Sequence, residues 1–271
     1  MRVEACCQAL LKQILPTLDP KRTGLCVDVG VGTFAFYCEL FAQMGFTTVA
    51  MEPCPTDKLL NICQRYPIQL IQQCLSNQVG TQTLHMGQFA KVANSNFSSL
   101  APDWFGASGV TRQVKTLDLR SLLAILPAAP ITCFKLDIEG WEPMVIQQFS
   151  DLPGEQLPKL VMFEYGGGGA LKTGAKGWSP RFLNGTMDCL KTLQKRGYGL
   201  SIMVDYAAGT PAKVFDLQGV SLGQDNLFYP NAVYGNILTF YDCSYPVPLI
   251  EEICAPYRGG LVNWLVGKLV S

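Results

Sequence analysis

The chain reads as an α/β protein with a mainly parallel sheet covered by helices on both faces. Three observations carry that reading. Apolar runs of strand length alternate with helical stretches, the pattern left by crossover-connected parallel strands. Leu25–Val29 is followed at once by Gly30, Gly32 and a helical stretch. Ile131–Leu136 ends abruptly in Asp137, Glu139, Gly140 and Glu142, and sheets of this kind place their chemistry at the C-terminal ends of strands. A length of 271 residues allows a sizeable core. We read one domain over residues 1–271, with a helical cap at 1–20, a core at about 24–245, a small excursion near 78–115 and a C-terminal extension at 246–271.

Taken in order, residues 3–15 place Val3, Cys6, Cys7, Leu10, Leu11, Ile14 and Leu15 on one helical face, and Pro16 is expected to stop that helix. Leu25–Val29 is the first strand, and the helical stretch at 34–44 closes at Gly45. Thr47–Met51 is a second strand ending at Glu52 and Pro53, after which Thr56 and Asp57 open a helix. Residues 68–74 form a third strand, ending at Leu75, Ser76 and Asn77. The rhythm breaks over 78–115, where Gly80, Gly87, Asn94, Asn96, Gly106 and Gly109 mark turns and the alternation at 81–86 predicts a small hairpin. A helix at 117–126, a strand at Ile131–Leu136, a helix at 142–149 and a strand at 160–163 follow. A glycine run at 166–169, with Lys172, Gly174 and Gly177, is expected to loop over the pocket. Then come a helix at 182–195, strands at 200–204 and 237–241, and an apolar segment at 261–270 expected to dock on the body as a helix.

Composition narrows the function. The 21 basic and 21 acidic residues form no long single-sign run, so nucleic acid is not expected as a partner. Glu4, Gln8, Lys12 and Gln13 interrupt the start of the chain where a signal peptide would need an apolar core. No run approaches the roughly 18 apolar residues of a membrane span, so stable membrane insertion is not expected. Eleven cysteines, odd in number and without repeating spacing, read as reduced thiols of a cytoplasmic protein. With His85 as the one histidine, and that side chain read as solvated or locally bonded, no metal site is expected.

The glycine loop is the first candidate site. Gly30 and Gly32 let a ligand approach the backbone closely, and the helix that follows offers N–H donors and a positive dipole end. Glu52, at the end of the second strand, stands where an acid accepts both ribose hydroxyls of an adenosine. Two cofactors suit this order. The run from Gly30 to Ala35 satisfies the dinucleotide pattern G-x-G-x-x-A. Asp28 argues for the other, because a carboxylate there repels a pyrophosphate but could hold the ammonium of S-adenosylmethionine.

Asp28-Val29-Gly30-Val31-Gly32, Met51-Glu52-Pro53, Leu75-Ser76-Asn77, Thr116-Leu117-Asp118 and Lys135-Leu136-Asp137-Ile138-Glu139-Gly140, in this order and with Glu142 beyond them, resemble the FkbM family of methyltransferases. The resemblance covers roughly residues 24–165 and departs from the family at Val31, Thr33 and Phe34 in the first loop. It implies a class I, Rossmann-like sheet of seven strands and O-methylation of a hydroxyl on a small molecule, sugar or glycan. The cofactor it implies is S-adenosyl-L-methionine, leaving as S-adenosyl-L-homocysteine. Asp28, Val29, Gly30, Gly32, Thr33, Phe34, Glu52, Pro53, Ser76, Asn77 and Asp137 are the expected cofactor contacts.

Asp137 and Glu139 lie two residues apart, so a persisting strand would turn both towards one pocket, with Lys135 on the same face. They are the candidates for taking the acceptor's proton or for orienting it, and Lys135 for supporting them. Glu164, at the end of the next strand, and Trp141, as a pocket wall, are candidate substrate contacts. Two other readings stay open: a nicotinamide-dependent oxidoreductase, and an inactive methyltransferase-like binding module.

Overall fold

The computed structural model describes residues 1–89, 92–104, 106–166, 180–207, 209–223, 227–229 and 232–258. Most of the glycine run after 166 and the apolar segment at 261–270 lie outside them. The elements run α1 (Val3–Leu18), β1 (Leu25–Val29), α2 (Phe36–Gln43), β2 (Thr47–Met51), α3 (Asp57–Arg65), β3 (Ile68–Ile71), β4 (Cys74–Leu75), β5 (Gly80–Phe89), β6 (Val92–Ala93) and β7 (Ala107–Leu117). They continue with α4 (Leu119–Ile125), β8 (Ile131–Leu136), α5 (Glu142–Ile146), β9 (Leu160–Gly166), α6 (Pro180–Lys195), β10 (Tyr198–Asp205), β11 (Lys213–Asp216), β12 (Tyr234–Tyr241) and α7 (Val247–Cys254).

The main sheet has the order β3-β2-β1-β8-β9-β12-β10-β11. From β3 to β9 every neighbour is parallel, while β12 runs antiparallel between β9 and β10, and β11 closes the edge antiparallel to β10. The sheet is therefore mixed and has eight strands, one more than the seven expected. β11 escaped the sequence reading because Lys213–Asp216 is only four residues long, half-exposed and charged at both ends, so it offers no apolar run.

Three further expectations need correction. The third strand stops at Ile71, and Cys74–Leu75 leaves the sheet to pair with Thr116 and Leu117 of β7. β5 and β7 form a long antiparallel hairpin that, with β4 and β6, makes a second, four-stranded sheet out of the excursion. α1 also continues through Pro16 to Leu18. Proline in a last turn forgoes one hydrogen bond there, and buried Leu10, Leu11, Ile14 and Leu15 hold the helix in place.

Strand alternation decides which side chains reach the site. Leu25, Val27 and Val29 of β1, Phe134 and Leu136 of β8, and Val161 and Phe163 of β9 pack into one apolar layer. Cys26, Cys133, Leu160 and Met162 face the other layer, which includes α1 and Tyr37. Asp28, Lys135 and Glu164 share that second parity, and the β1–β8 register sets Asp28 directly beside Lys135. Helix starts follow their caps: Thr56 accepts from the Leu59 amide and Asp118 from the Ser121 amide. No described helix is long and apolar enough to cross a membrane.

Candidate active site

A cavity of about 940 Å³ opens at the strand ends, large by the standard of ligand pockets, which run from about 300 to 1,000 Å³. The glycine loop, Glu52 to Cys54, Gln73 to Leu75 and the turn from Asp137 to Glu139 all line it. The excursion closes the side above them with Leu84 of β5 and with Asn96 and Leu100 from the segment between β6 and β7.

The glycine loop is held from two directions. Gly32 donates its N–H to Glu52 Oε2 at 3.1 Å, and Glu52 Oε1 accepts the Cys54 amide at 3.0 Å. Burial raises the Glu52 pKa even though both amides favour its charged form. From the excursion, Asn96 Oδ1 accepts the Thr33 amide at 2.7 Å. The sequence marked Asn96 only as a turn residue, since nothing local signals a contact 63 residues away. Asn96→Ala is expected to remove about 1 kcal/mol of stability in urea denaturation and to speed exchange of the Thr33 amide about fivefold; unchanged exchange would count against the clamp.

Beneath the loop lies a buried charge cluster. Lys135 Nζ donates to the Gly30 carbonyl at 2.8 Å and pairs with Asp28 at 3.0 Å and Asp137 at 3.5 Å. Burial disfavours its ammonium, but Asp28 and Asp137 outweigh that and hold the amine above its usual range. Asp28, 1% exposed, also accepts the Cys38 amide at 2.9 Å, so it ties α2 to the sheet. It is absent from the cavity wall, as are Thr33, Ser76 and Asn77. Ser76 acts one step back, accepting the indole N–H of Trp141 at 3.1 Å. Val29, Gly30, Gly32, Phe34, Glu52, Pro53, Lys135, Asp137, Glu139, Trp141 and Glu164 do line the cavity.

Asp137, Glu139 and Glu164 converge: one oxygen from each lies within 4.8 Å of the other two, a spacing that a cation can bridge. The strand does not persist to Glu139. The Asp137 amide still pairs with Val29, after which Glu139 turns at a left-handed φ of 56° and Gly140 at 87°. Burial, then repulsion from Asp137 and Glu142, pushes the Glu139 pKa well up. Glu164 is raised by burial and by the same carboxylates, and it hydrogen-bonds Asp137. Residues that the sequence reading passed over complete this end: Glu4 from α1, whose Oε2 accepts the Tyr37 hydroxyl at 2.6 Å, and the stacked rings of Tyr206 and Tyr234.

The buried acids give a pH dependence with a definite sign. Burial lifts Glu142 from 4.5 to about 7, so between those values the folded chain holds a proton that the unfolded chain has released. Stability then falls as pH rises through that window. From pH 5.5 to 8 the loss from Glu142 is roughly 2 kcal/mol, a drop of about 4–8 °C in Tm, and Glu139 and Glu164 add to it. A Tm that stays flat or climbs over this range would refute the assignment.

The family model described as the methyltransferase FkbM domain matches residues 25–198. A comparison with curated proteins finds no match. The matched span takes in β1 to β9 with the glycine loop, Glu52 and the Asp137–Glu139 turn, and leaves out Glu4, Tyr206 and Tyr234. Covering more than half of the chain and every wall of the cavity that the motifs built, that match makes the protein a member of the FkbM methyltransferase family.

Proposed function

We propose that the protein is a cytoplasmic, S-adenosylmethionine-dependent methyltransferase that methylates a hydroxyl on a small molecule or glycan. The observation that carries this reading is the meeting, in one cavity, of the glycine loop with Glu52 at one side and the acid turn with Glu164 at the other. The run of parallel strands from β3 to β9 supports a class I sheet, with β11 read as an added edge strand. The free cysteines, eight of them buried, suit a reducing compartment.

The cavity also fits the cofactor at an unsatisfied atom. Gln73 Oε1 is buried in the wall without a hydrogen-bond partner among the described residues. A buried acceptor left unpaired is costly, and an amide beside adenine can form paired hydrogen bonds with it. Leu75, Leu84 and Leu100 supply apolar walls nearby. Gly30 and Gly32 keep the loop free of side chains, and Glu52 stands at the ribose end. Asp28, being occupied by Lys135 and the Cys38 amide, serves by fixing Lys135 and not by touching the ligand.

The bound cofactor supplies an electrophilic methyl on a sulfonium. Transfer breaks the carbon–sulfur bond, leaving its electron pair on sulfur, and forms a carbon–oxygen bond while the hydroxyl proton passes to a carboxylate. Asp137 is the group assigned that proton, with Glu139, Glu164 and Trp141 orienting the acceptor. Alignment is the largest part of the task, worth roughly 7–11 kcal/mol in well-held systems. Calorimetric titration with S-adenosylhomocysteine tests the reading: saturable binding is expected, and binding of NADH without S-adenosylhomocysteine would overturn it in favour of an oxidoreductase.

A further inference from the structure

The acid turn adopts a shape that its own residues do not favour. A left-handed φ at Glu139 is uncommon for a residue with a Cβ, and Gly140 continues in the same region. Something outside the turn must hold it. Glu142, the first residue of α5, is the group placed to do so. It is 5% exposed and absent from the cavity wall. Its side chain reaches back, and Oε1 accepts the Ile138 amide at 2.7 Å. The amides of Gly140 and of Glu142 itself also face this carboxylate and favour its charged form. One buried acid thus faces the N–H groups of residues 138, 140 and 142 around Asp137 and Glu139, and among the described side chains Glu142 is the acceptor for the Ile138 amide.

We propose that Glu142 is the positioning residue of the active site: its buried carboxylate clamps the backbone of residues 138–140 and thereby fixes the directions in which Asp137 and Glu139 face the cavity. The clamp works through the acceptor oxygens of the side chain. A carboxylate offers two oxygens to three converging N–H groups, whereas an amide offers one oxygen and turns an NH₂ towards donors. Loss of the clamp releases Glu139 from its unfavourable φ, and a displacement of about 1 Å at a reacting group costs as much as a hundredfold in rate. The effect on rate rests on the methyltransferase reading; the effect on the turn does not.

Hydrogen exchange followed by mass spectrometry, together with turnover of S-adenosylmethionine on a pooled mixture of hydroxyl acceptors, tests the proposal. In Glu142→Ala the peptide covering 137–142 is expected to exchange about tenfold faster, with peptides from β1 and β2 unchanged. Turnover is expected to fall about ten- to a hundredfold with KM for S-adenosylmethionine within twofold, and Glu142→Gln is expected to recover part of both losses. Should the alanine variant fail to fold, Glu142→Asp, whose carboxylate is one methylene short, takes its place with the same expected signs. Wild-type exchange in 137–142 overturns the proposal, as does full turnover in a variant whose turn has loosened. If the wild-type protein neither binds S-adenosylhomocysteine nor turns over, the functional reading fails instead, and the exchange comparison still decides the clamp.

Discussion

Gly30→Ala is expected to cost more than about 4 kcal/mol, the range reached only when a substitution breaks a specific structural feature. Two separate constraints meet at this residue. Its φ is +74°, where a Cβ is disfavoured. More decisively, a Cβ there would stand 1.7 Å from the Asp137 carbonyl oxygen and 2.7 Å from its carbon, both backbone atoms that cannot rotate away. Relief requires β1 and β8 to part at their C-terminal ends. Movement there would strain the bond from the Gly30 amide to the Met51 carbonyl and the one from Lys135 Nζ to the Gly30 carbonyl. Gly109 supplies the control, because its φ is +82° yet nothing lies within 4 Å of its Cβ position. Gly109→Ala should therefore show the conformational cost alone, about 1 kcal/mol. Urea denaturation of both variants measures the gap; equal losses would mean that the close approach of the two strands is not what demands glycine at position 30.

The same contact shows what a sequence can and cannot disclose. The glycines, Glu52 and the Asp137 segment were legible because each closes an apolar strand, and β1, β2 and β8 matched their expected limits to the residue. Apolar runs declare themselves since a strand buried on both faces tolerates little else. What joins the runs was not legible. The clamp from Asn96 onto Thr33 and the arrival of Glu4 beside Tyr37 depend on how distant segments pack, and neither leaves a local pattern. Asp28 illustrates a different limit. Its place two residues before Gly30 suggested a ligand contact, but its buried carboxylate is taken up by Lys135 and the Cys38 amide and does not line the cavity. Spacing located the acid, and only the register between β1 and β8 showed which partner it had.

Asp137 and Glu139 entered as equivalent candidates, and their surroundings now predict that they respond differently to the same kind of substitution. Asp137 has a cation beside it, Lys135 Nζ at 3.5 Å, and its side chain keeps 24% exposure to the cavity. Glu139 has carboxylates as neighbours, and burial with Asp137 and Glu142 pushes its pKa well up, which favours its neutral form. A protonated carboxyl donates a hydrogen bond but cannot accept the acceptor's proton, and glutamine is a close mimic of that neutral form. Glu139→Gln is therefore expected to keep methyl transfer within about tenfold of wild type. Asp137→Asn removes the proton acceptor while preserving shape, and the loss expected is about a hundred- to ten-thousandfold in kcat, the range general-base catalysis provides. Affinity for S-adenosylhomocysteine, read by calorimetry, separates chemistry from binding: it should move little in Glu139→Gln, and in Asp137→Asn by far less than kcat does. Equal losses in the two variants would assign the proton to the pair, whereas a greater loss at Glu139 would reverse their roles. Glu164 also hydrogen-bonds Asp137. Combining Asp137→Asn with Glu164→Gln should then cost less than the sum of the two, because residues acting on one proton lose their contribution together.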